Sequence, residues 1–279
     1  MKKIVLGTRG SELALVQTRE AAAHLRSASP DLEVVEQIIR TTGDRRLDVK
    51  LSEPGALDKG LFTKELEEAL LSGQIDAAVH SLKDLPTEQP PGLVVGAILE
   101  RADSSDCLAS KAAGGWRALP EGAIVATSSL RRANQLHHLR PDIQTVDIRG
   151  NVPTRLRKLA ESPEWSGLIV AKAALERLGP DVVPEGIHVS IIQEMLPAPG
   201  QGAVAIECRA EDEAVLGLLA TVHHEITARC VEAERELLRS LGGGCHVPLG
   251  ARAEWIDGQI RLRAAIFDES GVRWLYPPA

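Results

Sequence analysis

Ile124-Val125-Ala126-Thr127-Ser128-Ser129-Leu130-Arg131-Arg132 reads as a short apolar strand that turns at once into a helix. Three hydroxyl residues stand at the turn, where such side chains accept from the free N–H groups of a helix start. Two arginines follow directly. A junction of this kind presents backbone N–H groups and guanidinium forks together, which is what a carboxylate or phosphate requires. The next unit repeats it: a strand over Gln144–Val146, then Asp147-Ile148-Arg149-Gly150-Asn151, then a helix over Pro153–Ala160 that carries Arg155. Proline suits the first turn of that helix. Arg131, Arg132, Arg140, Arg149, Arg155, Arg157 and Lys158 stand against only Asp142 and Asp147, in a chain of net charge −7. A solvated cationic helix face would account for Arg131 and Arg132 alone. Arginines at two successive helix starts point instead to a two-sided cradle for a small polyanion.

Working outward, strand and helix signals alternate on both sides. Towards the N-terminus they predict strands at Ile4–Leu6, Val34–Ile39, Ile75–Val79 and Leu93–Leu99, with helices at Ser11–Leu25 (Ser11 as N-cap) and Thr63–Leu71. A second unit begins near Asp103, with strands Ile124–Ala126, Gln144–Val146 and Leu168–Ala171 and helices Ser129–Leu139, Pro153–Ala160 and Ala173–Leu178. Leu196–Gly202 is a turn-rich crossing. A strand at Val204–Glu207 and helices Glu211–Leu219 and Glu225–Leu241 follow. The last segment reads as a small antiparallel sheet, Leu249–Trp255, Gln259–Ile266 and Val272–Tyr276, beside one helix. The alternation implies an α/β layer fold.

The 279 residues suffice for two or three domains. Aromatic residues make up 3% of the chain and the net charge is negative, which argues against base-stacking or nonspecific nucleic-acid binding. No apolar run has the length of a membrane span, and Met1–Leu6 is cut off by Gly7-Thr8-Arg9 too early for a signal peptide. A cytoplasmic location is expected. Cys107, Cys208, Cys230 and Cys245 lack metal-ligand spacing, so neither a zinc site nor a disulfide framework is expected. The first three read as inert thiols. Cys245 follows Gly242-Gly243-Gly244 and precedes His246, a setting that leaves a thiol accessible and reactive.

Two further segments carry chemistry. His80-Ser81-Leu82-Lys83-Asp84 follows an apolar strand, and ligands of open α/β sheets sit beyond the carboxyl ends of strands. Lys83 suits an anion; Asp84 suits a positive charge or a proton. By themselves these two would read as a surface ion pair. Thr8-Arg9-Gly10-Ser11 repeats the strand–cation–cap pattern. Leu51–Gly60, with Lys59, reads as a surface loop that a lid function would also suit.

Together these segments resemble the porphobilinogen deaminase (hydroxymethylbilane synthase) family. The resemblance rests on Gly7–Leu15, Lys59–Glu67, Ala78–Asp84, Thr127–Arg132, Arg149-Gly150-Asn151, Gly200–Val204 and Leu241–Pro248. It implies two type II periplasmic-binding-like domains with the chain crossing between them twice, plus a small α+β third domain. The implied boundaries are 1–99 with 203–220, then 104–197, then 225–279. The implied activity is a transferase of tetrapyrrole synthesis. It joins four porphobilinogen units head to tail on a dipyrromethane primer, with loss of ammonia, and releases hydroxymethylbilane by hydrolysis. The primer would be a thioether on Cys245. By matching positions, Asp84 is the catalytic acid, expected to be buried. Lys83, Thr127, Ser129, Arg131 and Arg132 would hold the cofactor. Arg9, Ser11, Gln17, Lys59, Arg149, Arg155 and Arg177 would serve the substrate. Neither metal, nucleic acid nor membrane is implied, and a monomer is expected. Two features depart from the family pattern: Leu57-Asp58 replaces a glycine pair before Lys59, and the chain stops at Ala279 without the family's last amphipathic helix. The competing reading is a non-catalytic two-domain anion binder or sensor, which would need neither Cys245 nor the Lys83-Asp84 pair.

Overall fold

The structure, a computed structural model, describes residues 1–45, 62–243, 247–268 and 270–276. The first lobe opens with β1 (Lys3–Thr8), α1 (Glu12–Ala28) and β2 (Glu33–Ile38), followed by the short α2 (Thr42–Arg45). Then come α3 (Lys64–Leu71), β3 (Ala77–Ser81) and β4 (Leu93–Ile98). The second lobe holds β5 (Asp106–Ser110), β6 (Ile124–Ala126), α4 (Leu130–Leu139), β7 (Gln144–Val146) and α5 (Val152–Glu161). It ends with β8 (Trp165–Ala171), α6 (Lys172–Leu178) and β9 (His188–Ile191). The chain then returns to the first sheet as β10 (Val204–Arg209), followed by α7 (Glu213–Ala220). The third lobe comprises α8 (Glu225–Ser240), β11 (Leu249–Ile256), β12 (Gln259–Asp268) and β13 (Gly271–Tyr276).

The two five-stranded sheets share one plan. Their orders are β2-β1-β3-β10-β4 and β7-β6-β8-β5-β9. In each, three strands run parallel, and a fourth, β10 or β5, lies antiparallel between the third strand and the outer one. Because β10 belongs to the first sheet, the chain crosses between lobes twice. The two five-stranded lobes and the small three-stranded one make the fold α/β as expected. Strands β5 and β9 lie outside the elements read from the sequence.

Helices α1, α4 and α5 each start after a capping side chain. Ser11 Oγ accepts from Ala14 N, Ser129 Oγ from Arg132 N and Asn151 Oδ1 from Thr154 N. Helix α1 buries Gln17, Thr18, Ala21, Ala22 and Leu25, one face at helical spacing, against Ile4, Leu6 and Val34 of the sheet. Burial of each such leucine contributes about 1.5–3 kcal/mol. The other sheet face packs on Leu66, Ala69 and Leu70 of α3.

The third lobe is wedged against both others. Val231 of α8 packs with Leu82, Leu85 and Ala205 of the first lobe. Ala265 and Phe267 of β12 pack on Leu196, at the second crossing. Glu234 of α8 is fully buried and fixes the junction: its carboxylate accepts from Arg101 Nη1 and Nη2 (2.7 and 3.1 Å), Gly200 N (2.8 Å) and Ala253 N (2.7 Å). One carboxylate thereby ties both crossings to the third lobe. Gly202 has φ +92°, and a Cβ there would sit 2.5 Å from Ala102 O, so only glycine lets the two crossings run this close. No helix among the described residues is long and apolar enough to cross a membrane.

Candidate functional site

The charged residues of the sequence motifs follow the carboxyl ends of parallel strands in both sheets, and Lys83 and Asp84 of the first lobe come near Arg132 and Arg155 of the second. Strand β3 ends at Ser81, and Leu82–Asp84 forms one turn of 3₁₀ helix. Leu82 takes the inward place and is fully buried. Gly200, at φ +75°, passes so near that a Cβ would meet Leu82 Cγ at 2.9 Å. Arg235 of α8 holds the turn from beneath, donating to the carbonyls of Leu82, Leu85 and Pro86. The turn therefore lifts Asp84 out. Asp84 is exposed, not buried as the sequence reading expected, because Leu82 occupies the interior position.

A pocket of about 70 Å³ opens beside Asp84 and gathers Arg9, Ser11, Gln17, Phe62, Thr63, His80 and Ser81. The Arg9 guanidinium lies 4.1 Å from the Phe62 ring centre. Ser81 Oγ donates to Gln17 Oε1 at 2.9 Å, joining α1 to the end of β3. Arg9, Ser11, Gln17 and Asp84, predicted separately, line one space.

The cationic side of the cleft is organised by Asp106, at the start of β5. This fully buried carboxylate accepts from Arg131 Nη1 (2.6 Å), Arg132 Nε (3.0 Å), Arg132 Nη2 (2.7 Å) and Gln201 Nε2 (2.9 Å). Burial opposes its charge, but the two guanidiniums hold its carboxyl far below the usual range. Arg131 also donates to Leu196 O and Arg132 to Ile169 O. Both arginines are thus buried and engaged by the protein itself. Gln201 passes the contact on, its Oε1 lying 3.4 Å from Lys83 Nζ.

Lys83 and Arg155 differ from this pair. Among the described residues, neither has a carboxylate within ion-pair distance; Arg155 Nε donates to Gly150 O. Burial and the neighbouring Arg132 charge push Lys83 down to about 8, with Asp84 opposing the fall. Burial and Arg132 likewise push Arg155 down to about 10, with Asp84 again opposing it. Arg155 comes from the second lobe and Lys83 and Asp84 from the first, so these charges face one another across the cleft.

Thr127 and Ser129 border a second recess of about 240 Å³ with Ser128, Thr145 and Asp147. Arg149 is partly buried next to the α5 start. Arg177 lies elsewhere: its Nε and Nη2 clasp Glu20 of α1 at 2.7 and 3.2 Å, and Nη1 donates to Gly202 O. It bridges the lobes. Lys59, Leu57, Asp58 and Cys245 lie outside the described residues. Gly243, two positions before Cys245 in sequence, packs where a Cβ would be 3.2 Å from Thr87 Oγ1, three residues after Asp84. Cys107, Cys208 and Cys230 are buried; burial pushes the first two thiols up to about 12 and about 11 and raises the third.

Asp106, Gln201, Glu20, Glu207 and Glu234 were missed by the sequence reading. Each is an acid or amide whose partners come from distant segments. Gln201 alone had a signal, between two glycines of the crossing.

Residues 4–217 match the family model described as "Porphobilinogen deaminase, dipyromethane cofactor binding domain", and residues 228–274 match "Porphobilinogen deaminase, C-terminal domain". The chain is 48% identical over 272 residues to the porphobilinogen deaminase of Syntrophomonas wolfei, covering 97% of this chain and 87% of that protein. It is 48% identical over 270 residues to that of Desulforudis audaxviator, covering 97% and 86%. Among solved structures it resembles the methionine-binding protein MetQ (14% identity, TM-score 0.48, covering 84% of this chain and 96% of that one).

Proposed function

The chain belongs to the porphobilinogen deaminase family, and from that premise we propose which of its residues perform the family's reaction. It is a transferase of tetrapyrrole synthesis with a dipyrromethane cofactor. It joins porphobilinogen units head to tail with loss of ammonia and releases hydroxymethylbilane. The family match favours this over a non-catalytic anion binder. We assign its lobes to 1–99 with 203–220, 104–197 and 225–279. We take it to be a cytoplasmic monomer acting on a small molecule, with no nucleic-acid or membrane partner.

The residues present suit a pyrrole chain bearing acetate and propionate arms. Lys83 and Arg155 are partly buried cations from different lobes, and each is lowered by burial and by other cations, with Asp84 opposing the fall. That observation carries the assignment. Positive charge with no carboxylate at ion-pair distance among the described residues marks the place of an anion, and the exposed acid near both marks the place of a cation. When bound, the dipyrromethane supplies the primer, a pyrrole on which the new units are joined. Cys245 is its attachment point; the packing of Gly243 against Thr87 supports that reading, since it brings the preceding chain to the Asp84 segment.

Lys83, Arg155 and Arg149 neutralise carboxylate arms, while Thr127, Ser129 and the helix starts they flank add donors. Arg131 and Arg132 act as fixed charge, held in place by Asp106. In the lobe-one pocket Arg9 and Ser11 receive the carboxylates of the incoming porphobilinogen, and Gln17 orients Ser81. Lys59 and Arg177 complete the substrate set. Asp84 faces the positive charge that develops as ammonia leaves, and stabilises it electrostatically. Intact-mass measurement tests the assignment: protein made where porphobilinogen is available should exceed its polypeptide mass by one dipyrromethane, and Cys245→Ala should abolish the excess. Bare polypeptide in the unsubstituted protein overturns it.

A further inference from the structure

Behind the lobe-one pocket lies a group of buried polar side chains that the reaction as described leaves unused. His80 of β3 lines the pocket and is 6% exposed. Its Nε2 lies 3.0 Å from Oε2 of Glu207, on the adjacent strand β10, and Glu207 is fully buried. The β10–β4 pairing shifts register at Ile206/Glu207, a bulge of the kind that re-aims a side chain. The second oxygen of Glu207, Oε1, is buried without a hydrogen-bond partner. So is Oγ1 of Thr63, which is 2% exposed and lines the same pocket. Glu67 of α3 stands close by. Burial raises its carboxyl, the nearby Thr63 hydroxyl lowers it, the charge of Glu207 adds to the rise and His80 opposes it. The Thr63 hydroxyl is close enough to act on the Glu67 carboxylate, but its geometry falls short of a well-formed hydrogen bond.

Leaving a buried acceptor unpaired costs roughly 1–3 kcal/mol, and more when it is charged. Two such atoms beside a substrate pocket call for a ligand. Carboxylate and hydroxyl oxygens in acidic surroundings select a small cation with N–H donors, and the pocket's own reaction generates one at every cycle.

We propose that Thr63, His80 and Glu207 form the site that receives the ammonia expelled from porphobilinogen and holds it as ammonium. The inference rests on the assignment of this pocket to the incoming substrate. The C–N bond of the protonated aminomethyl group (–CH2–NH3+) breaks and its electron pair leaves on nitrogen, so that ammonia and a cationic pyrrole carbon result. Ammonia takes a proton from solvent water and becomes ammonium, which cannot add back to that carbon. Its N–H groups then satisfy Thr63 Oγ1 and Glu207 Oε1 until ammonium departs to solvent. Asp84, which lines the same pocket, stays with the carbon cation.

The probe is ammonium chloride added to the cofactor-loaded protein, with thermal midpoint as the readout and sodium and potassium chloride at equal ionic strength as references. Ammonium should raise the midpoint beyond either reference. Thr63→Val should weaken the apparent ammonium affinity at least fivefold, and Glu207→Gln should remove the specific shift. Thr63→Val deletes a hydroxyl that has no partner, so it should fold even if Glu207→Gln does not. An equal response to all three salts, or an unchanged ammonium affinity in Thr63→Val, overturns the proposal. Intact mass and porphobilinogen consumption are followed on the same samples. Loaded, active protein with no ammonium response sinks this inference alone, whereas unloaded protein sinks the functional assignment beneath it.

Discussion

Arg131 Nη1 lies 2.6 Å from Asp106 Oδ2 inside the second lobe, with both side chains shut away from solvent. The contact sets the charge of the whole cleft, because the same carboxylate also holds Arg132 and Gln201. Removing it would leave two buried guanidiniums without a counter-ion, and breaking a buried pair from one side costs about 3–5 kcal/mol. Asp106→Asn should lower unfolding free energy by that amount in a denaturant titration. A loss below about 1 kcal/mol would mean that the arginines find other partners.

Lys83 yields a prediction with a definite sign. Its value in the fold, about 8, lies below the ordinary 10.5, because burial and Arg132 disfavour the charged form. Below pH 8 the lysine is charged in both folded and unfolded chains, and the folded state bears the cost in full. Between about 8 and 10.5 the unfolded chain binds more protons, so stability rises with pH. Cofactor-free protein (Cys245→Ala) should therefore gain stability across that window while losing affinity for carboxylate ligands. Lys83→Met should flatten the rise and stabilise the cofactor-free protein at pH 7 on the order of 2 kcal/mol. Thermal midpoints against pH, for both proteins, check the sign.

Much of this was legible because local signals coincide. Ser11, Ser129 and Asn151 announce helix starts, and the arginines beside them announce anions; Ser11 caps as read, and Ser129 and Asn151, read only as lying at helix starts, also cap. Strand β5 was missed because Asp106–Ser110 is buried on both faces and shows no alternation, with Ser104 and Ser105 reading as loop. Its loss hid Asp106, and with it the reason Arg131 and Arg132 are buried. Strand β9 was missed for the opposite reason: His188–Ile191 is a short, largely exposed edge. Partners such as Glu20 and Arg177 stand 157 positions apart. No periodicity connects such residues, since only the two crossings bring them together.

The junction at Glu234 makes a stability prediction independent of the cleft. This carboxylate has four donors and no contact with solvent, so Glu234→Ala strips partners from Arg101, Gly200 N and Ala253 N at once. The loss should be about 3–5 kcal/mol. Arg101→Ala should cost about as much, since it strands Glu234, and the double variant should cost less than the sum. Additive losses in chemical denaturation would show that the two side chains act separately.

Arg177 and Glu20 make the lobes' contact testable through kinetics. The Arg177 fork, in the substrate set by resemblance, is occupied by the Glu20 carboxylate, with the arginine side chain 9% exposed and the glutamate 29%. A substrate carboxylate has the same fork-filling geometry, so the two compete for one guanidinium. Glu20→Gln keeps the side chain's size but removes its charge. It should lower KM for porphobilinogen roughly two- to fivefold, an amount fitting the modest worth of a partly exposed ion pair. Arg177→Ala should raise KM, because it removes the shared group. If Glu20→Gln instead raises KM along with Arg177→Ala, the pair acts only as a strut between α1 and α6, and substrate does not reach Arg177.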